Sequence, residues 1–195
     1  MSDKIFEVIY ADPPWRYSNL APRKGDRIDS KYKTMPTSKI ENYLKDENIQ
    51  IAEKAVCYLW TTNPLLIDAL KVLYAWGFKY KTNLAWDKQI IGLGYWLRGQ
   101  HELLLIGNRG NSPPPPGTQR ISSVFSQKRA RHSEKPGYIR GYLTKTYFNQ
   151  EKIELFYRKP TPKQTDLNKI GEISWDNLSK KELLSMKWTF MGKET

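Results

Sequence analysis

A chain of 195 residues can bury one sizeable core without disulfide or metal staples, and its single cysteine, Cys57, excludes a disulfide framework within one chain. Thirty-two lysines and arginines against twenty acidic residues leave a formal charge of +12, and 13% of the residues are aromatic, a combination suited to a polyanion whose bases can be stacked upon. No apolar run is long enough to span a bilayer, Met1-Ser2-Asp3-Lys4 lacks the apolar core of a secretory signal, and two distant histidines with one cysteine argue against zinc; a cytoplasmic protein without a metal site is expected.

Ile5 to Tyr10 form a short apolar run stopped by Asp12-Pro13-Pro14, the pattern of a central strand ending at the carboxyl edge of a sheet. Residues from about Tyr17 to Met35 are polar and basic without a period and read as a long loop. Ser38-Lys39-Ile40-Glu41 has capping-box spacing and opens a helix to about Asp46. Val56 to Trp60 reads as a strand, and Asn63-Pro64 supplies an N-cap and first-turn proline for a helix that Gly77 ends. Phe78 to Trp86 and Leu103 to Ile106 are further strands. Gly110 to Arg131, with four consecutive prolines, reads as a second long loop. A helix follows Lys135-Pro136 through about Tyr147, and Lys152 to Tyr157 reads as the final strand. The polar tail carries a short helix near Leu178 to Met186. This alternation predicts an α/β domain over 1–160, with 161–195 as a polar extension of the same domain or an appendage.

Asp12-Pro13-Pro14-Trp15 carries the chemistry. The lone pair of an adenine amine is delocalised into the ring, so methylating it requires the nitrogen to be held in a pyramidal geometry. The Asp12 carboxylate and the Pro13 carbonyl, side by side at a strand end, can each accept one N–H of that amine. Pro13 and Pro14 fix the backbone without adding competing donors. Trp15 is placed to stack on a base taken out of its helix. The competing reading is a proline turn that closes a strand, with Asp12 as a local cap and Trp15 as core. The basic residues of the two loops, including Arg16, Lys31, Arg129 and Arg131, are candidates for gripping phosphates, against the plainer reading of solvated loop charge.

The motif does not stand alone. Lys31-Tyr32-Lys33-Thr34-Met35, Leu59-Trp60-Thr61-Thr62-Asn63-Pro64, Ala85-Trp86-Asp87-Lys88, Gly94 to Glu102, His132-Ser133-Glu134-Lys135-Pro136 and Ile153 to Arg158 follow it in order. In these segments the chain resembles the DPPW-motif (MT-A seventy-like) adenine-N6 methyltransferases, small microbial or phage type, over most of residues 5 to 158. The resemblance implies a Rossmann-like class I S-adenosylmethionine-dependent methyltransferase fold: a mostly parallel sheet with helices on both faces, permuted so that the catalytic motif precedes the cofactor half.

It further implies that Asp12 and Pro13 contact both amine and cofactor, that Phe156 and Arg158 line the cofactor pocket, and that His101 stands where some relatives hold the methionine carboxylate with a lysine. His132, Ser133 and Lys135 belong to the element opening the cofactor half. Asn177 is the nearest counterpart of an asparagine that touches the cofactor ribose or adenine in relatives. Trp15, Arg16, Tyr17, Lys31, Arg129 and Arg131 would meet the substrate. The expected activity is methylation of adenine N6 in DNA with S-adenosylmethionine as donor. RNA as substrate, a non-catalytic nucleic-acid-binding subunit of an active paralogue, and a homo- or heterodimer are the alternatives left open.

Overall fold

The computed structural model describes residues 4–17, 34–92, 94, 96–129, 135–157, 169–170, 173–174 and 185–192. Its centre is strand β1 (Ile5–Ala11), buried without interruption from Val8 to Ala11 because both faces are covered. It pairs in parallel with β2 (Gln50–Thr61) on one side and with β6 (Lys152–Leu155) on the other. The strand that ends in Asp12 and the predicted cofactor strand are therefore neighbours, as the permuted order requires.

With β3 (Lys79–Asp87), β4 (His101–Arg109), β5 (Val124–Ser126) and β9 (Trp188–Met191), the sheet runs β5-β3-β4-β2-β1-β6-β9. β4 lies antiparallel to both of its neighbours, and every other pairing in this sheet is parallel. β7 (Lys169–Ile170) and β8 (Ile173–Ser174) form a separate antiparallel pair.

Period-two alternation distributes the side chains between two cores. Ile9, Ala11, Cys57 and Leu59 point toward α1 (Thr37–Asp46) and α2 (Leu66–Ala75), which contribute Ile40, Leu44, Ala69, Val72 and Leu73. Val8, Tyr10, Val56, Tyr58 and Trp60 point the other way, toward Ile139 and Leu143 of α3 (Gly137–Thr146) and toward Trp188. Helices thus cover both faces. Buried polar tips on the α3 side find partners: Trp60 Nε1 donates to the Tyr10 hydroxyl at 2.9 Å and Trp188 Nε1 to Thr144 Oγ1 at 2.9 Å. On the same side, the Arg140 guanidinium grips Glu154 through two bonds of 2.7 and 2.8 Å, with both side chains nearly buried. Lys152 is fully buried, and its ammonium caps the carbonyls of Tyr147 and Gln150 at 2.7 and 2.8 Å.

Several boundaries depart from the sequence expectation. α1 begins one residue before Ser38, with Pro36 at the N-cap and no side-chain cap, so the capping box does not form. Asn63-Pro64 opens a 3-10 turn (Asn63–Leu65) before α2, and Asn63 spends its amide on His101 instead of on capping. Gly77 does end α2, in the left-handed region at φ +84°. The second long loop contains β5, whose pairing with β3 is only three residues long. Lys152 to Leu155 is not the last strand, because β9 adds to the sheet beyond it, with Trp188 fully buried. The expected helix near Leu178 to Met186 falls largely outside the described residues.

Candidate active site

β1, β2 and β3 run the same way, so Ala11, Thr61 and Asp87 finish at one edge of the sheet, and the reversed β4 starts there at His101. From β1 the order continues toward β2 on one side, while β6 continues toward β9 on the other. Outside the carboxyl ends of β1 and β6 this leaves a switch-point crevice, the place where open α/β sheets bind ligands. Asp12 stands at the end of β1, and Phe156 leaves β6 with φ +59°, a strained conformation for a bulky side chain.

Asp12 does not stand alone. Lys135, immediately before α3, places its ammonium 2.8 Å from Asp12 Oδ1 and 3.3 Å from Glu102 Oε2, and Lys88 reaches Glu102 Oε1 at 3.2 Å. The result is an alternating chain of four charges from the end of β1 to the feet of the β3–β4 loop. Lys135, Glu102 and Lys88 are each about one-seventh exposed. The Lys135 ammonium also lies 5.7 Å from the centroid of the Trp60 ring. Burial pulls the Lys135 ammonium toward neutrality, but Asp12 and Glu102 outweigh it and hold its pKa above the usual lysine value. Burial likewise opposes the Glu102 carboxylate, yet Lys135 and Lys88 hold it below the usual range.

The sign of the resulting pH dependence follows from these directions. The Glu102 contribution to stability is complete above an unfolded-state pKa of about 4.3 and is lost as pH falls through the lower folded value. The Lys135 contribution is present below about 10.4 and is lost as pH rises through its higher folded value. Glu102→Gln is therefore expected to flatten the acid limb. Urea unfolding of wild type and variant at pH 7 and at pH 3 should show a smaller loss on acidification in the variant.

The remaining predicted residues divide. Pro13 is buried, and its carbonyl already accepts the Trp15 N–H at 2.8 Å, leaving a second lone pair for another donor; the Pro14 carbonyl accepts the Met35 N–H at 2.7 Å. Tyr17 packs at the edge with its hydroxyl 2.8 Å from Thr62 Oγ1. His101 Nε2 lies 2.9 Å from Asn63 Nδ2. Phe156 packs against Tyr43 of α1, with ring centroids 4.3 Å apart. Arg16 is exposed, and Arg129 keeps a buried Nε with no acceptor among the described residues.

Trp15 corrects an expectation. It is 8% exposed, sits in the α1–α2 core, and donates its indole N–H to the Trp60 carbonyl at 3.0 Å. The structure uses it to fix the turn after Asp12 rather than as an open platform for a base. Lys31, Arg131, His132, Ser133, Arg158 and Asn177 lie outside the described residues. Glu102 and Lys88 were missed as site residues: each reads in sequence as a charge at a strand end, and only the antiparallel β3–β4 register brings them to Lys135.

The sheet, with its single reversed strand and a crevice between β1 and β6, is a Rossmann-like methyltransferase fold. The MT-A70 family model matches residues 6–171, and the chain belongs to this methyltransferase family. It is also 30% identical over 191 residues to the type II methyltransferase M.MunI from Mycoplasma sp, an alignment covering 89% of this chain and 76% of that protein. No helix among the described residues is long and apolar enough to cross a membrane.

Proposed function

We propose that this protein transfers a methyl group from S-adenosylmethionine to the exocyclic N6 amine of adenine in DNA. The observation that carries the reading is the Asp12 carboxylate, oriented by Lys135 at 2.8 Å, at the mouth of the β1–β6 crevice. The donor set suits the cofactor. At the crevice mouth Lys135 and Asp12 would offer a zwitterionic amino-acid end and a sulfonium charges of both signs, and the Phe156–Tyr43 pair would offer a purine aromatic surface. When bound, S-adenosylmethionine supplies an electrophilic methyl group.

The chain itself does the positioning. Lys135 occupies Asp12 Oδ1, and among the described residues nothing is bonded to Oδ2, which is open to accept an amine N–H. The Pro13 carbonyl, with one lone pair uncommitted, accepts the other. Held by two acceptors, the amine would turn its lone pair out of conjugation; as its N–C bond forms the S–C bond of the donor breaks, S-adenosylhomocysteine leaves as a neutral thioether, and the methylated nitrogen passes its proton to the Asp12 carboxylate or to water. Trp15 keeps these acceptors in register through its bond to the Trp60 carbonyl. DNA is favoured over RNA on the similarity to a protein named as a type II methyltransferase.

The test incubates the protein with methyl-labelled S-adenosylmethionine and, separately, duplex DNA, single-stranded DNA and RNA, then digests each pool to nucleosides. Label on N6-methyladenine from DNA is the expected result. Label from RNA alone would reassign the substrate, and no label in any pool would sink the reading.

A further inference from the structure

Trp96 is 98% exposed and Leu97 85%, the two most exposed large apolar side chains among the described residues; Ile91, in the same β3–β4 loop, is 64% exposed. Trp15, Trp60, Trp76, Trp86 and Trp188 are all buried, so Trp96 stands apart from the other described tryptophans. Three large apolar side chains exposed on one loop make a patch of the kind that marks an interaction site.

The loop is braced. The Gly92 N–H donates to the Gly99 carbonyl at 2.9 Å, Arg98 Nε to the Gly92 carbonyl at 2.6 Å, and the Lys88 N–H to the Gln100 carbonyl at 3.0 Å. A side chain on Gly92 would meet the Gly99 carbonyl, so glycine is required for this closure. The loop rises from the same sheet edge as Asp12, and its feet, Lys88 and Glu102, belong to the ion chain that ends on Asp12.

The charge of this edge suits an anionic occupant. At this edge Arg16, Arg98 and Lys128 are exposed, and Arg129, whose N–H donates to the Lys88 carbonyl, has a buried Nε without an acceptor among the described residues. Lys135 and Lys88 are matched by Asp12 and Glu102, so among the described residues of this edge these arginines and Lys128 outnumber the remaining acids, Asp87 and the Asp68 that pairs with Lys71. The opposite end of the sheet is basic as well, with Lys4, Lys54, Lys79, Lys81, Lys145 and Lys187 among Glu47, Glu53 and Glu151, so charge alone does not single out the first edge. What the first edge adds is its place beside Asp12 and an indole that is 98% exposed, against 61% for Phe148 and 56% for Tyr74, and a partner with closely spaced negative charge and flat aromatic faces fits it.

We infer that the 88–100 loop is a nucleic-acid contact in which Trp96 stacks on a base of the strand flanking the target nucleotide while Arg98 meets an adjacent phosphate. The inference rests on the proposed function and assigns base stacking to Trp96, outside the DPPW motif. It is tested with full-length protein and Trp96→Ala, with Trp96→Phe as the conservative variant. Two fluorescently labelled probes of equal length and charge are titrated: a 20-nucleotide oligodeoxyadenylate and an abasic 20-mer with the same sugar-phosphate backbone.

Base–aromatic stacking predicts that Trp96→Ala weakens binding to the oligodeoxyadenylate about ten-fold or more, that phenylalanine restores much of it, and that abasic binding is unchanged. Equal loss on both probes, or loss on neither, would overturn the inference. So would sedimentation showing that Trp96→Ala splits a dimer without altering affinity for either probe, since the indole would then face a second copy of the chain. Labelled methyl transfer measured alongside separates the two claims. Trp96-dependent binding without methylation defeats the proposed function alone, and methylation with Trp96-independent binding defeats this inference alone.

Discussion

Asp12→Ala is expected to abolish methyl transfer while the protein remains folded. Preorganised polar contacts to a reacting group are worth about 10²–10³ in rate each, and Asp12 supplies one acceptor while helping to orient another. The cost to the fold is small because the Asp12 side chain is 23% exposed, and its loss leaves Lys135 still paired with Glu102 at 3.3 Å. Asp12→Asn separates shape from charge. The amide keeps the volume but offers the Lys135 ammonium and the substrate amine one neutral oxygen between them, so the asparagine variant should lose nearly as much activity. Labelled methyl transfer under single-turnover conditions, with circular dichroism as the folding control, decides the matter. A folded alanine variant that still methylates would end the proposed mechanism.

The second large effect concerns stability. Arg140→Ala removes the partner of Glu154 and leaves a carboxylate uncompensated on β6, between β1 and β9, where the side chain is only 9% exposed. Breaking a buried ion pair on one side costs about 3–5 kcal/mol, a large share of a single domain's stability. The urea midpoint should drop sharply at unchanged slope. Arg140→Met combined with Glu154→Leu removes both charges and retains volume, and should recover most of the loss. An alanine variant within about 1 kcal/mol of wild type would mean that water reaches Glu154, at odds with its burial. The guanidinium also lies 5.8 Å from the Tyr157 ring centroid, so the pair supports the turn through which β6 enters the crevice.

What could be read from the residues followed from how much local signal each carried. The run Ile5 to Tyr10 declared a buried strand, and the Asp-Pro-Pro stop declared where its end lay. β9 was not legible, because Trp188-Thr189-Phe190-Met191 is four residues in a polar tail and becomes a strand only through its pairing with β6. β5 is shorter still, three residues preceded by two serines and followed by polar and basic residues. Within the site, Asp12 and Lys135 could be named individually, but their contact spans most of the chain. Glu102 and Lys88 carried no motif of their own, and their role arises from a hairpin-like register that places Trp86 opposite Glu102. Trp15 shows the opposite error. A tryptophan beside a catalytic carboxylate invites a stacking role, whereas an indole with a nearby buried carbonyl to satisfy is a packing residue.

The adjacency of β1 and β6 sets an order of events during synthesis. Residues 5–11 leave the ribosome early, yet the strand that completes their pairing begins at Lys152, and β9 follows only at Trp188. A nascent chain that has emerged as far as α3 already displays the whole Asp-Pro-Pro-Trp sequence but has one side of β1 unpaired. Contacts between such distant segments must wait for loop closure and for the tail to arrive. Catalytic competence therefore waits for β6 and β9, made well over a hundred residues after the motif they complete.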